Sequence, residues 1–122
     1  MFAEPNVMTA AKIQHLPDLP AIECPCGLAR RAWSDEPSFP GSMHLTEIHL
    51  DARTHYHREH TEVYVILECE ADAAMELDGT RHPVRPLDTI LIPPGTRHRA
   101  IGKMRVLIAC TPAFDAADEH FD

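Results

Sequence analysis

Short runs of apolar or alternating residues, separated by turn-forming residues, repeat along most of the chain. Eleven prolines are spread through the sequence, and no stretch free of such breakers keeps the 3.6-residue period of a helix. Runs of this length between turn signals are typical of β-strands. The pattern predicts strands near residues 28–33, 43–50, 62–68, 73–77, 81–84, 89–92, 97–101 and 105–110. Between two of these runs, Asp78-Gly79 predicts a hairpin with a type I′ turn.

Many short strands with turn signals every 8–12 residues are typical of an all-β sandwich or barrel. Only residues 9–15 and 113–120 have a helical pattern, and both segments are short. At 122 residues, the chain has the length of one domain. We therefore predict a single domain over residues 1–122, with an irregular segment at 1–27, a barrel at about 28–112 and a tail at 113–122.

Composition and charge exclude several classes of partner. The chain is 44% hydrophobic and 25% charged, as expected for a globular protein. A net charge of -8 argues against a nucleic-acid partner, because neutralising phosphates requires a surplus of Lys and Arg. No apolar run reaches the roughly 18 to 20 residues that span a bilayer, and the first residues lack the features of a signal peptide. We therefore expect a cytoplasmic protein without a membrane partner, whose four cysteines are free thiols.

Nine histidines are present, and the densest group of them precedes an apolar strand. His55 and His57 are two residues apart, so on an extended chain both imidazoles project from the same face. Glu62 follows five residues after His57, and a turn between them would bring its carboxylate to the same place. A third imidazole could come from His98, which follows the turn-forming residues 93–95.

These residues form two motifs that resemble those of the cupins: His-x-His-x4-Glu at His55, His57 and Glu62, then Pro-x-Gly-x2-His ending at His98. The resemblance extends over about residues 43–112. It implies a double-stranded β-helix, a jelly-roll barrel, that holds one divalent metal through these three histidines and Glu62. The sequence departs from the cupin pattern at four turn or packing positions, His49, Cys69, Leu87 and Gly102. Small single-domain cupins are commonly dimers, so the resemblance also implies a homodimer.

Three imidazoles and a carboxylate favour Fe, Mn, Co, Ni, Zn or Cu over Mg and Ca. Four protein ligands on a six-coordinate ion leave two positions for a small chelating substrate. We therefore expect an enzyme of dioxygenase, lyase or isomerase type acting on a small molecule. Two alternatives remain: a metal- or small-ligand-binding protein without turnover, and an enzyme similar to sugar-phosphate isomerases.

Several further residues are candidates for the pocket. Tyr64 shares the strand face of Glu62, which makes it a candidate proton donor. His44 and His49 lie on opposite faces of one strand, so at most one of them points inward, and His60 is a rival ligand or a neighbour of the site. Arg53 and Arg81 could meet an anionic substrate at the barrel mouth. The other arginines are expected at the surface, namely Arg30, Arg31, Arg97 and Arg99.

Overall fold

Turn-forming residues divide the chain into short antiparallel strands, as the pattern of apolar runs predicts. The structure, a computed structural model, describes residues 10–25, 27–49 and 52–122. These residues contain nine strands: β1 (Ile22–Cys24), β2 (Gly27–Ala32), β3 (Ser42–Ile48), β4 (Thr61–Cys69), β5 (Ala74–Leu77), β6 (Thr80–Pro83), β7 (Thr89–Ile92), β8 (His98–Ile101) and β9 (Met104–Thr111). Eight of them overlap the eight predicted strands, and the all-β prediction is confirmed.

The strands form two antiparallel sheets that pack face to face. The larger sheet has the order β1-β2-β3-β9-β4-β7, and the smaller sheet has the order β6-β5-β8. The centre of the large sheet joins strands that are distant in sequence, since β9 pairs with both β3 and β4. Such pairing closes a jelly roll, in which the inward side chains of both sheets share one core.

The core fills one end of the space between the sheets. Ile66, Met75, Ile92 and Val106 are at most 1% exposed, and they belong to one apolar cluster. Successive residues of a strand face opposite sides of the sheet, so every second residue points inward. Along the same strands, the inward residues change from apolar side chains at one end to polar side chains at the other. The apolar cluster therefore holds in place the strands that carry the inward polar residues.

Two segments differ from the pattern-based expectations. Strand β1 lies within residues 1–27, which were predicted to be irregular, and it pairs with β2 from Ile22↔Ala29 to Cys24↔Gly27. Residues 10–15 are not helical, while residue 9 lies outside the described residues. The tail contains only one short 3₁₀ turn, Ala116–Asp118. Within the described ranges, no helix has the length and apolar character that crossing a membrane requires.

Two turns show how local sequence sets the backbone. Asp78 and Gly79 have φ of 48° and 83°, so both central residues of the hairpin between β5 and β6 have the positive φ of the predicted type I′ turn. Leu87 occupies a position where the cupin pattern has glycine, and its φ is 73°. The backbone conformation is therefore kept although the glycine is absent, at the steric cost that a side chain brings in this region.

Candidate metal centre

The two predicted motifs meet through a backbone bridge between His55 and His98. The His55 amide donates to the His98 carbonyl at 3.1 Å, and the His98 amide donates to the His55 carbonyl at 2.9 Å. This pairing places the two imidazoles side by side, with ring centroids 4.3 Å apart. The His57 ring lies 5.2 Å from that of His55 and 5.5 Å from that of His98. Residues about forty apart in sequence thus form one cluster of three imidazoles.

The turn between His57 and Glu62 is held by a carboxylate from the tail. Asp118 accepts backbone N–H groups from Arg58, Glu59 and His60 at 2.9 to 3.0 Å. After this turn, β4 begins at Thr61, and Glu62 projects into the cluster. The turn that the spacing of His57 and Glu62 requires is present, and the residue that fixes it lies near the end of the chain.

The four residues named by the two motifs converge at one point. Each of His55, His57, Glu62 and His98 offers a ligand atom, and these atoms all lie within 4.8 Å of one another. Glu62 Oε1 is 3.4 Å from His57 Nδ1 and 3.3 Å from His98 Nε2. All four side chains are buried. The structure therefore contains a buried group of three His and one Glu that is a candidate metal site.

Contacts to backbone carbonyls orient two of the rings. His55 Nδ1 lies 3.1 Å from the Arg53 carbonyl, and His98 Nδ1 lies 2.8 Å from the Thr96 carbonyl. A carbonyl accepts a hydrogen bond only from a protonated nitrogen, so the proton of each neutral ring is on Nδ1. The lone pair is then on Nε2, which is the usual arrangement for a metal-binding histidine.

Burial favours the neutral forms of His55 and His57, and the neighbouring rings favour the ionised form of Glu62. Desolvation, followed by the neighbouring His98 ring, lowers the pKa of His55 to about 4. Desolvation also lowers the pKa of His57. Burial alone would raise the pKa of Glu62, but the His98 and His57 rings outweigh it, so that the pKa is lowered. Neutral imidazoles and an ionised carboxylate are the forms that bind a metal.

The residues fit a divalent transition metal. Three buried atoms of the group have no hydrogen-bond partner: His57 Nε2, His98 Nε2 and Glu62 Oε1. A buried polar atom without a partner costs about 1–3 kcal/mol, so native structures rarely leave three of them together. A cation at the centre of the group would satisfy them, and three nitrogens with one oxygen suit a transition metal better than Mg or Ca.

A narrow cavity of about 20 Å³ adjoins the group. That volume is sufficient for about one water molecule. Its wall combines inward residues of the large sheet with residues of the tail: Cys24, Ala29, Arg31, His44, Thr46, His55, Glu62, Tyr64, Ile108, Phe114 and Glu119. The tail contributes Phe114 and Glu119 to this wall, and Glu119 Oε1 lies 3.9 Å from His55 Nε2.

The other three candidate histidines differ in burial and in position relative to the site. His44 points inward and lines the cavity, whereas His49 is exposed. Desolvation, followed by the Arg31 charge, lowers the pKa of His44 to about 4. His60 is buried but lies outside the group of four, with Nδ1 3.2 Å from Asp118 Oδ2 and its ring stacked on Phe114. His60 therefore supports the turn and the tail.

Tyr64 lies where its parity with Glu62 places it. It is 4% exposed, lines the cavity and sits edge-on to the His98 ring, with centroids 6.3 Å apart. The same side chain packs in the apolar cluster. Its position therefore combines a role in the core with access to the cavity.

Two residues of this region, Arg31 and Glu119, were not predicted from the sequence. Arg31 was expected at the surface, but it is partly buried and lines the cavity. Glu119 also lines it, and burial followed by the Glu62 charge raises the pKa of this carboxyl. The arginines considered for an anionic substrate, Arg53 and Arg81, are exposed. Only the inward parity of β2 could have indicated Arg31, and nothing local indicated Glu119.

Two cysteines in the described part of the chain, Cys69 and Cys110, are free thiols. Burial raises the pKa of the Cys110 thiol to about 12, so this group is inert as a nucleophile. Cys26 lies outside the described residues, so for this residue the expectation of a free thiol stays a prediction.

The fold and the two motifs agree with the comparison to known families. The family model of the cupin domain matches residues 42–108. The chain belongs to the cupin family. A cupin-type jelly roll and the predicted family are thus both confirmed.

Solved structures show the same relationship. A protein from Planctomyces limnophilus is 42% identical, with a TM-score of 0.90 over 93% of this cupin and 99% of that chain. The Streptomyces nucleoside dehydratase Pac13 is 15% identical, with a TM-score of 0.76 over 91% and 90% of the two chains. The ectoine synthase from P. lautus is 19% identical, with a TM-score of 0.72 over 90% and 88%. The last two share the fold. No curated protein matches this cupin.

Proposed function

We propose that this cupin is a metal-dependent enzyme, of lyase or isomerase type, that acts on a small chelating molecule. One divalent transition metal would be held by His55, His57, Glu62 and His98. The observation that carries this proposal is the convergence of three buried, unpartnered ligand atoms beside a cavity. The metal would supply Lewis-acid polarisation of a substrate oxygen.

The cavity wall favours proton transfer over redox chemistry. His44 and Glu119 line it beside the ligands His55 and Glu62. Burial raises the pKa of Glu119, which is the direction that suits a carboxyl acting as a general acid. Burial lowers the pKa of His44 to about 4, so this imidazole is neutral and can accept a proton. Tyr64 adds a phenol on the same wall as a candidate proton donor. Lyases and isomerases need such groups, whereas a dioxygenase needs chiefly an iron and open coordination positions.

Solved structures with the same fold give general support to a lyase or isomerase. One of them is named a nucleoside dehydratase, and two are named sugar phosphate isomerases, with TM-scores of 0.54 and 0.58. These names indicate that a barrel of this shape hosts reactions without net oxidation. A sugar phosphate is much larger than the cavity, so we propose a smaller substrate for this chain.

The narrowness of the cavity favours a second candidate, a metal-binding protein without turnover. Space for about one water leaves no room for a substrate unless the tail or Arg31 moves. The two candidates differ in what the metal-loaded protein does to small hydroxy acids, oxo acids and aromatic diols.

The test is to purify the protein anaerobically, determine its metal content, and follow small-molecule conversion and oxygen consumption with each bound metal. We expect one equivalent of a transition metal per chain and turnover without oxygen uptake. Stoichiometric oxygen uptake with iron would replace our proposal with the dioxygenase alternative. A fully loaded protein that converts nothing would favour the binding protein, and turnover only of phosphosugars would favour the isomerase-like alternative.

We also propose that a second copy of the chain covers the outer face of the large sheet. Val63 pairs with Leu91 on one side and Ala109 on the other, so these outward side chains form an apolar row. Leu91 is 65% exposed on the edge strand β7. Such an edge is usually protected by charge or by a partner.

Changing Leu91 to glutamate should convert a dimer into a monomer, as measured by light scattering. Leu87→Glu is the matched control, because Leu87 is 79% exposed in the preceding turn and lies off this row. A monomeric wild-type protein, or a dimer unaffected by the Leu91 change, would contradict the homodimer. Cytoplasmic location and the single domain over residues 1–122 stay predictions.

A further inference from the structure

The cavity wall carries a positive charge that forms no ion pair with the described residues. Arg31 lies on the inward face of β2, where it pairs with His44, which in turn pairs with Ile108 and so with Tyr64. These residues form one row across the sheet, and Glu62 lies on the next inward row of β4. Arg31 therefore faces the same cavity as the candidate metal ligands.

The guanidinium of Arg31 has no acidic partner among the described residues. Arg97, Arg99 and Arg105 each pair with a carboxylate at 2.9 to 3.2 Å. Arg31 forms no such pair: its Nε is buried without a hydrogen-bond partner, and the charge of Glu119 acts on it only from beyond ion-pair distance. A partly buried charge without an ion pair is poorly compensated, and the carboxylate of a ligand would supply that pair.

Two residues beside Arg31, namely Thr46 and Phe114, also favour a polar ligand in the cavity. Thr46 Oγ1 is a second buried atom of the wall without a partner. The Phe114 ring lies under the guanidinium carbon at 4.0 Å, so it covers one face of the fork and leaves the N–H groups at its edge. Guanidinium has donors and no acceptor, and its planar fork matches the two oxygens of a carboxylate.

We propose that Arg31 binds the carboxylate of a short-chain hydroxy or oxo acid whose second oxygen reaches the metal. This inference rests on the proposed function, since it names the substrate class of the same site. The closed cavity holds about one water, so the acid can enter only when the wall moves. Arg31 also lines an outer groove of about 320 Å³ on its other side. Rotation of Arg31 and Phe114 would join the two spaces and admit the acid.

The test compares a charged probe with a neutral one of the same size. Lactate and lactamide are titrated calorimetrically into cobalt-loaded wild-type protein, Arg31→Gln, Arg31→Lys and Arg30→Gln. Pyruvate and glycolate complete the panel of acids. Arg30 is the matched control because it neighbours Arg31 on β2 but points outward, where it donates to the carbonyls of Pro17 and Leu19.

We expect wild type to bind at least one acid, and to bind lactate more tightly than lactamide. Arg31→Gln should weaken acid binding about 10- to 100-fold, the range for a hydrogen-bonded charge pair, and leave lactamide binding unchanged. Arg31→Lys should be intermediate because it keeps the charge and loses the fork. Arg30→Gln should bind the acids as wild type does.

Three results would overturn the inference: no binding of any acid, equal binding of lactate and lactamide, or acid binding that Arg31→Gln leaves unchanged. Preference for inorganic phosphate over all the acids would also overturn it. Cobalt content is measured on every sample, so a failure of the metal site appears separately as unloaded wild-type protein. Equal melting temperatures of the Arg31 and Arg30 variants would exclude misfolding as the cause of weaker binding.

Discussion

Replacing His57 with alanine should abolish stoichiometric metal binding while the fold survives. His57 Nε2 is buried without a hydrogen-bond partner, so removing the ring breaks no bond at that atom. The loss of one of four ligands should lower metal affinity by more than about 100-fold, since even the residues that support metal ligands change affinity 10- to 100-fold. Elemental analysis after dialysis measures the metal, and circular dichroism with thermal melting measures the fold.

Two other histidines make this experiment selective. His49→Ala removes an exposed imidazole and should leave metal content and melting temperature unchanged. His60→Ala removes a buried ring next to Asp118, so it should lower stability but keep one metal per chain. A His57 variant with full metal occupancy would refute the assignment of the site. A His60 variant without metal would make His60 a ligand.

The strands and the four candidate ligands could be predicted because their signals are local. A run of apolar residues, the Asp78-Gly79 turn and the spacing of His55 and His57 each depend on neighbours in sequence. The bridge between His55 and His98 is different, because its register is set by pairing across the barrel. Here the family motif supplied the long-range information that periodicity lacks.

Residues whose role comes from distant contacts escaped prediction. Arg31 has the same local appearance as Arg30, and only the position of β2 in the sheet makes one inward and the other outward. Leu87 stands where the cupin pattern has glycine, which predicts an altered backbone at this turn. The surrounding pairing nevertheless keeps φ at 73° despite the side chain. Tertiary structure overrides local preference in both cases. The tail gives the strongest example, because nothing in the local sequence of residues 113–122 indicates that Asp118 holds the turn of the site.

Replacing Asp118 with alanine should destabilise the protein and weaken metal binding together. Its carboxylate accepts three backbone N–H groups of the turn between His57 and Glu62. Without it, partly buried donors lose their partners, and we expect a loss of about 3 kcal/mol in the free energy of unfolding. Because the turn sets the distance between two ligands, metal affinity should fall about 10- to 100-fold. Chemical denaturation and metal titration measure the two effects.

Protonation of the Asp118 carboxylate should lower the free energy of unfolding in acid. Burial opposes ionisation of Asp118, but the three backbone N–H groups outweigh it and hold its pKa well below the ordinary value of 3.8. A lowered folded-state pKa contributes stability that is fully present above the unfolded-state value and is lost as pH falls toward the folded-state value. The contribution of Asp118 should therefore be lost as the pH falls below about 4. The Asp118→Ala variant should show a smaller decrease over the same range.

Asp115→Ala is the matched control for both effects. Asp115 belongs to the same tail but accepts only the Ala117 amide, in an exposed 3₁₀ turn. Its removal should cost about 1 kcal/mol or less and leave metal affinity unchanged. If the two aspartate variants were equally stable, the turn would not depend on Asp118. If Asp118→Ala unfolded more easily yet bound metal as tightly as wild type, the four ligands would hold their geometry without the tail.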